Sequence, residues 1–350
     1  MMRPHYSSVG LDIDGRWIRA AQLIRGAGRW KLHAAMQLER DDPAAPLTPS
    51  DAAAVAGALE RQGFVPAPLV LSAPREACIA AVLELPPRSS GAPLRQIARA
   101  ELSRTVRVDP AAMECELWDV PGIGRATETS PAMVVALPHA SGELMAGIFS
   151  GVSDVAAIDA RMCALARASS TWLPAAGIGA IVDVGWHSSS ITVLIGTTPI
   201  FDRTLEHASL SHLHASIAKK VGAEAVVPLM QPSAWQDAEF LPLHQQVRPC
   251  FTAFLDSMAT ELSRSLTYIA HRMQQAPLGA VLVSGPEVPG LCERIEKTLG
   301  QPVRALTPAD AVEIGPSCGH HAQRRELLAA IGLAIPAGNW KKASTGRDAA

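Results

Sequence analysis

A two-lobed α/β fold made by duplication is what this sequence predicts, on three observations. The stretches "VGLDIDGRWIRAAQL" from Val9 and "IVDVGWHSSSITVLI" from Ile181 both read as apolar strand, aspartate, tight turn and second strand. They stand roughly half the chain apart, and each is followed by strands alternating with helices. At 350 residues, the chain is long enough for two core-forming units.

In the first half, "VGLDI", "IRAAQLIRG" and "RWKLHAAMQL" predict a meander of three strands. Thr48 as N-cap, Pro49 in the first turn and Gly63 past the end bound the next helix. "PLVLSAP" predicts a buried strand. The register then changes: a strand at "AVLEL", an amphipathic helix "LRQIARAELSRTV" and the alternating "MECELWDV" predict an inserted subdomain over about 83–130. "AMVVALP" is expected to resume the main unit, and "SDVAAIDARMCALARASS" to form one long helix. The second half repeats the meander, with a helical insert expected over 205–250. It continues with a helix from Phe251, the strand "AVLVSG" and the helix "LCERIEKTLG", and closes with a helix at "RRELLAAIGLAI". The expected division is lobe I over 1–175, lobe II over 176–338 and a frayed polar tail over 339–350.

Composition excludes several function classes. Hydrophobic residues make up 48% and charged residues 18%, so the chain packs a core. A net charge of −2 argues against a general nucleic-acid binder. The six cysteines form no CxxC pair, which predicts reduced thiols in a cytosolic setting. No apolar run reaches membrane-spanning length and the N-terminus lacks a signal-peptide core, so no direct membrane insertion is expected. His207, His212 and His214 cluster, as do His320 and His321, without carboxylate or cysteine company at metal-ligand spacing. Gly122 opens a "GIGR" too short for a dinucleotide loop, and no Walker pattern is present.

The chemistry sits at the two hairpins. Backbone N–H groups of such a turn can wrap a polyphosphate, and strand-end carboxylates can hold Mg²⁺ through water. Asp12 and Asp183 occupy those places. Either aspartate alone reads as a turn residue capping its own backbone; the pair with repeated flanks favours the ligand-binding reading.

At these residues the sequence resembles the PilM family of type IV pilus assembly proteins, within the actin-like ATPase superfamily. "VGLDIDGRWIRAAQL" is similar to the family's first phosphate hairpin, and "IVDVGWHSSSITVLIGTTPIFDRTL" to its second. "AIDARMCALARA" resembles the helix connecting the lobes, "ELSRSLTYIAH" the helix beside the adenosine, "VLVSGPEVPGLCERIEKTLGQPVRALTP" the adenosine segment and "AAIGLAI" the closing helix. The resemblance implies an actin-like (ribonuclease H-like) fold, two lobes each with a mixed five-stranded sheet, and ATP and Mg²⁺ between them. It implies phosphate and metal contacts at Asp12, Gly15, Arg16, Asp183, Gly185, Ser188 and Ser189, with both aspartates holding Mg²⁺ through water. It also implies adenosine contacts at Glu261, Arg264, Ser265, Gly285 and Gly290; the bland alternative at that helix is an exposed Glu261–Arg264 pair. The implied partners are the N-terminal tail of a PilN-like inner-membrane protein, held between the lobe I core and its insert, and other proteins of the assembly platform. The implied location is the cytoplasm, peripheral to the inner membrane.

Three departures from the family pattern bear on the nucleotide. Asp14 and Gly15 replace a glycine and a serine, with Arg16 and Trp17 following where small hydroxyl residues are usual. A carboxylate about 4 Å from a phosphate costs roughly 4 kcal/mol at an effective dielectric of 20, about a thousandfold in affinity. Arg16 could compensate by reaching a phosphate, or could pair with Asp14 and fill an empty pocket. Arg161 stands where the connecting helix usually has an acidic residue, and "GPEVPG" carries prolines in place of a glycine run. The resulting expectation is an adaptor with a divergent ATP site and little hydrolysis. The alternatives are a GspL-like secretion component, which usually continues into a transmembrane helix, and an active ATPase or sugar kinase on the same fold. A kinase needs an aspartate base aimed at a substrate hydroxyl, and no such stretch stands out.

Overall fold

A computed structural model describes residues 4–26, 28–121, 129–175, 177–205, 207–231, 235, 240–273 and 277–337. The "GIGR" stretch, the expected polar tail and part of the expected 205–250 insert lie outside them.

Lobe I opens with β1 (Val9–Asp14), β2 (Trp17–Arg25) and β3 (Trp30–Glu39), an antiparallel meander. The tight turn at Gly15, which takes φ +51°, fixes the register so that Asp12 faces Arg19 across the pair and Asp14 faces Trp17. Helix α1 (Pro49–Arg61) starts on a capping box between Thr48 and Asp51, and Gly63 beyond it takes φ +74°. Strand β4 (Leu69–Ser72) then pairs parallel to β1.

The inserted subdomain comprises β5 (Ile79–Leu85), α2 (Leu94–Val106), β6 (Met113–Asp119) and β7 (Ser130–Pro138), in an antiparallel sheet ordered β5-β7-β6. It is wider than the expected 83–130 because "AMVVALP" is its central strand and does not rejoin the main sheet. That strand is apolar on both faces for a reason: Ala132, Val134 and Ala136 pack toward α2, while Met133 packs into the core of lobe II. The indole of Trp118 donates to the carbonyl of Pro199 at 2.6 Å, tying the insert to the second lobe.

The chain returns through α3 (His139–Phe149), β8 (Val155–Asp159) and α4 (Arg161–Ala168). The single long helix expected from Ser153 is thus a strand followed by a helix. "VAAID" is helix-prone locally, but pairing with β4 overrides that preference.

Lobe II repeats the meander with β9 (Ile178–Asp183), β10 (Ser189–Ile195) and β11 (Thr198–Leu205). Then come α5 (Leu210–Val221), α6 (Val226–Leu229), the 32-residue α7 (Leu241–Arg272), β12 (Leu278–Ser284), α8 (Leu291–Leu299) and β13 (Val303–Ala305). Helix α7 begins ten residues before the expected Phe251 and carries Pro249 internally. The last described elements are α9 (Pro308–Ala311), β14 (Glu313–Ile314) and α10 (Leu328–Ala334).

The lobe II sheet runs β11-β10-β9-β12-β13, and the lobe I sheet β14-β3-β2-β1-β4-β8. Numbered within each lobe, both contain the order 3-2-1-4-5, so the duplication is topological. Lobe I has six strands instead of the expected five because β14 pairs parallel to β3. The chain therefore returns to lobe I near its end, and 176–338 is not wholly lobe II. Helix α10 is buried along every residue, so it needs partners on both sides. It lies between β1 and α4, where only glycine fits: a Cβ on Gly10 would sit 2.2 Å from the carbonyl oxygen of Ala330, and one on Gly332 2.0 Å from that of Ala164.

Candidate functional site

The two hairpins converge on one crevice. Asp12 within β1 and Asp183 at the end of β9 are both fully buried, and Arg161, the first residue of α4, lies between them. Its guanidinium donates from Nη1 to Asp12 Oδ1, from Nε to Asp183 Oδ2 at 2.6 Å and from Nη2 to Asp183 Oδ1 at 3.3 Å. Arg75, in the turn after β4, donates to Asp183 Oδ2. Arg19 places Nη1 3.6 Å from Asp12 Oδ2 and 3.4 Å from Asp14 Oδ2. Three guanidinium groups thus face three carboxylates. Burial by itself would neutralise such groups; instead it is opposed by Asp12 and Asp183, which raise the Arg161 pKa well above its ordinary value. Burial likewise pushes Asp183 upward, but Arg161 and Arg75 bring it below the usual carboxylate value.

Asp14 closes the arrangement from the other side. Its Oδ1 accepts the backbone N–H of Trp186, in the second hairpin, at 3.1 Å. Gly185 is confined by its own hairpin: a Cβ there would sit 2.2 Å from the carbonyl oxygen of Ser188, with Asp14 Oδ1 at 3.4 Å. Ser189 is buried with its hydroxyl accepting from the Gly185 N–H at 3.3 Å, and Ser188 is half-buried. The carbonyls of Gly185 and Trp186 accept from Leu210 and Ser211 at the start of α5. Gly15 lies under His187, whose ring would be 2.3 Å from a Cβ at that position. Arg16 turns away from the crevice, donating from Nε to Glu39 at 2.8 Å, with its guanidinium 5.0 Å and 4.7 Å from the ring centres of Trp17 and Trp186. It makes no ion pair with Asp14.

The residues expected to contact adenosine are engaged elsewhere too. Glu261 and Ser265 share a buried face of α7, where Arg203 of β11 reaches them at 3.3 Å and 3.4 Å. Arg264 is exposed and does not pair with Glu261. Gly285 takes φ +92° and its Cα abuts Val184, where a Cβ would be 2.2 Å from the carbonyl oxygen; Gly290 is the left-handed N-cap of α8. A cavity of about 460 Å³ opens beside the aspartates, bounded by Asp14, Arg75, Arg161, His187 and one side of α3. None of the five residues expected to contact adenosine lines it.

These residues do not fit hydrated Mg²⁺ or a triphosphate in the arrangement found. The space between Asp12 and Asp183 holds a guanidinium, and an acceptor position facing the second hairpin holds a carboxylate. In this arrangement Asp12 and Asp183 bond to Arg161, Arg16 to Glu39 and Glu261 to Arg203, in place of the metal and nucleotide contacts expected of them. Arg19 was legible from hairpin register, since a two-residue turn places residue 19 opposite residue 12. Arg75 and His187 carried no comparable local signal.

A second concavity lies between the insert and the lobe I core. It measures about 440 Å³, with Cys115, Trp118 and Ala136 on the insert side and Gly142, Ile158 and Cys163 on the core side. Glu114, Glu116, Glu143 and Asp159 also line it. Both β6 and β8, which border it, are edge strands of their sheets.

No protein-family model and no curated protein matches the sequence. Among solved structures, a chain of the PilM-PilN type IV pilus biogenesis complex aligns with a TM-score of 0.76 at 19% identity, covering 94% of this chain and 98% of that one. The ethanolamine utilization protein EutJ from Carboxydothermus hydrogenoformans aligns at 0.52 and 13% identity, covering 95% and 90%. This chain has the actin-like fold, in the form seen in the pilus complex. Likeness over nearly the whole of both chains agrees with the doubled strand order and includes the inserted subdomain.

Proposed function

We propose that this chain is a PilM-like cytoplasmic adaptor of a type IV pilus assembly platform. In this reading it holds the N-terminal tail of a PilN-like inner-membrane protein in the groove between insert and core, and is kept at the membrane by that contact. The observation that carries the proposal is the groove itself, in a chain whose fold matches one found in a PilM-PilN complex.

The groove suits an extended peptide. Two sheet edges border it, offering backbone donors and acceptors that a strand can use, and its apolar floor offers pockets for alternate side chains. Its rim is acidic. Arg99 offsets Glu114, Arg95 offsets Glu116 and Arg167 offsets Asp159, while Glu143 has no ion partner among the described residues. A tail carrying apolar residues and a lysine or arginine, as cytoplasmic flanks of membrane spans commonly do, complements that surface. No helix among the described residues is long and apolar enough to cross a membrane. Membrane association in this reading comes from the partner.

The test is retention of this chain by the immobilised N-terminal tail of the single-span membrane protein encoded beside it. Wild type is expected to be retained and Gly142→Trp to be lost. The nearest atoms to a Cβ on Gly142 are 3.6 Å and 3.7 Å away, so the backbone accepts a side chain that then fills the groove. Failure of the wild type to bind defeats the proposal.

A further inference from the structure

We infer that this chain carries an internal stand-in for metal-bound phosphate: Arg161 takes the cation's place between Asp12 and Asp183, and the Asp14 carboxylate takes the place of a phosphate oxygen against the second hairpin. The crevice is therefore closed to Mg-nucleotide, and the lobes are held together by the protein's own side chains.

Each half of the substitution has its own observation. A hydrated divalent ion in such a crevice needs carboxylates with room and negative charge to spare. Here both carboxylates are fully buried, and Arg161 bonds to both while Arg75 and Arg19 neutralise the remainder. A phosphate in a hairpin needs backbone N–H groups pointing into space. Here the N–H of Trp186 is already accepted by Asp14 Oδ1 at 3.1 Å, and Gly15 is capped by the His187 ring. The two halves depend on each other. Asp14 next to a bound triphosphate would be repelled, whereas beside Arg19 it is matched. Arg161 next to a bound Mg²⁺ would likewise be repelled. The departures Asp14 and Arg161, read separately from the sequence as blemishes in a nucleotide site, are one compensated change.

Bolting the lobes also fixes the neighbouring segment. Arg161 is two residues from Asp159 and next to Ala160, both of which line the groove beside the insert. The closed crevice holds that wall in place without a ligand.

The test is thermal unfolding of the purified full chain, with Mg²⁺, Mn²⁺ and Mg-ATP as probes. Wild type is expected to melt at the same temperature with and without millimolar Mg-ATP. Arg161→Ala vacates the position between two buried carboxylates. It is expected to melt lower in chelator and to recover by a few degrees, saturably, on adding Mn²⁺ or Mg²⁺. Adding Asp183→Asn to that variant is expected to abolish the recovery. Arg161→Gln, which keeps bulk and hydrogen bonds but not charge, serves the same comparison if the alanine variant does not fold. A saturable rise of the wild type with Mg-ATP overturns the inference, as does an Arg161 variant that responds to the cations no more than wild type. Neither outcome depends on whether the groove binds a tail.

Discussion

The crevice and the groove share one short piece of chain, Ile158 to Cys163, yet they are left in opposite states. On one side of it Arg161 faces a set of carboxylates whose charge it, Arg19 and Arg75 balance, although Asp12 Oδ2 accepts no hydrogen bond. On the other, Ile158, Ala160 and Cys163 line a concavity of about 440 Å³ between two unpaired sheet edges. Buried charge is tolerable only when matched, and here the match is internal. Apolar surface beside open backbone edges is tolerable in a monomer but gains free energy when a partner covers it. The difference teaches that one two-lobed frame can fill a crevice with its own side chains while leaving a neighbouring concavity open.

The largest way to break this comparison is at the crevice. Removing one partner of a buried ion pair costs about 3–5 kcal/mol, so Arg161→Ala is expected to lose that much stability in urea denaturation at neutral pH. A loss below about 1 kcal/mol would mean that the crevice does not hold the lobes. The same groups set the sign of the acid response. Asp183 is held below its ordinary pKa by Arg161 and Arg75 against the effect of burial. Its contribution is therefore fully present above the ordinary carboxylate range and is lost as pH falls through and below it. Asp183→Asn is expected to be less stable at neutral pH but to lose less on acidification, measured by denaturant midpoints from pH 7 down to the acid limb. An unchanged pH slope would contradict the assignment.

Next in size is the seat of α10, on which both lobes depend. Gly332→Ala drives a methyl toward the Ala164 carbonyl, and overpacking of this kind costs about 1–3 kcal/mol. A neutral effect would show that α4 and α10 can separate freely. At the groove, Gly142→Trp is expected to weaken tail binding by about tenfold or more, about 1.4 kcal/mol, with the melting temperature unchanged. Parallel losses of affinity and stability would instead mark a folding defect. The smallest effect belongs to the exposed face of the insert, where Arg95 pairs with Glu116 at 2.7 Å with both side chains more than half exposed. Arg95→Ala is expected to cost about 0.5 kcal/mol or less, and any larger loss would mean that this face does more than solvate the insert.

Much of the frame could be read from sequence because local and tertiary signals agreed there. The strands of the two hairpins are near-continuous apolar runs buried almost throughout, and Thr48, Pro49 and Gly63 punctuate α1 as their chemistry requires. Reading failed where tertiary context outweighed local preference. "VAAID" forms an edge strand despite its alanines, and "AMVVALP" centres the insert's sheet because lobe II covers its other face. The return of α10 and β14 to lobe I depends on contacts with strands some three hundred residues earlier, which no window of sequence displays. At the site, the departures at Asp14 and Arg161 were visible, but their coupling was not. That required Arg75 and His187, which approach from turns distant in sequence.

The most direct measurement is calorimetric titration of this chain with the N-terminal tail of the adjacent membrane protein, with and without millimolar Mg-ATP. A self-sufficient crevice beside a preformed groove predicts one saturable binding event whose dissociation constant is the same in both conditions. Binding that appears only with Mg-ATP, or an affinity that moves tenfold with it, would contradict the account.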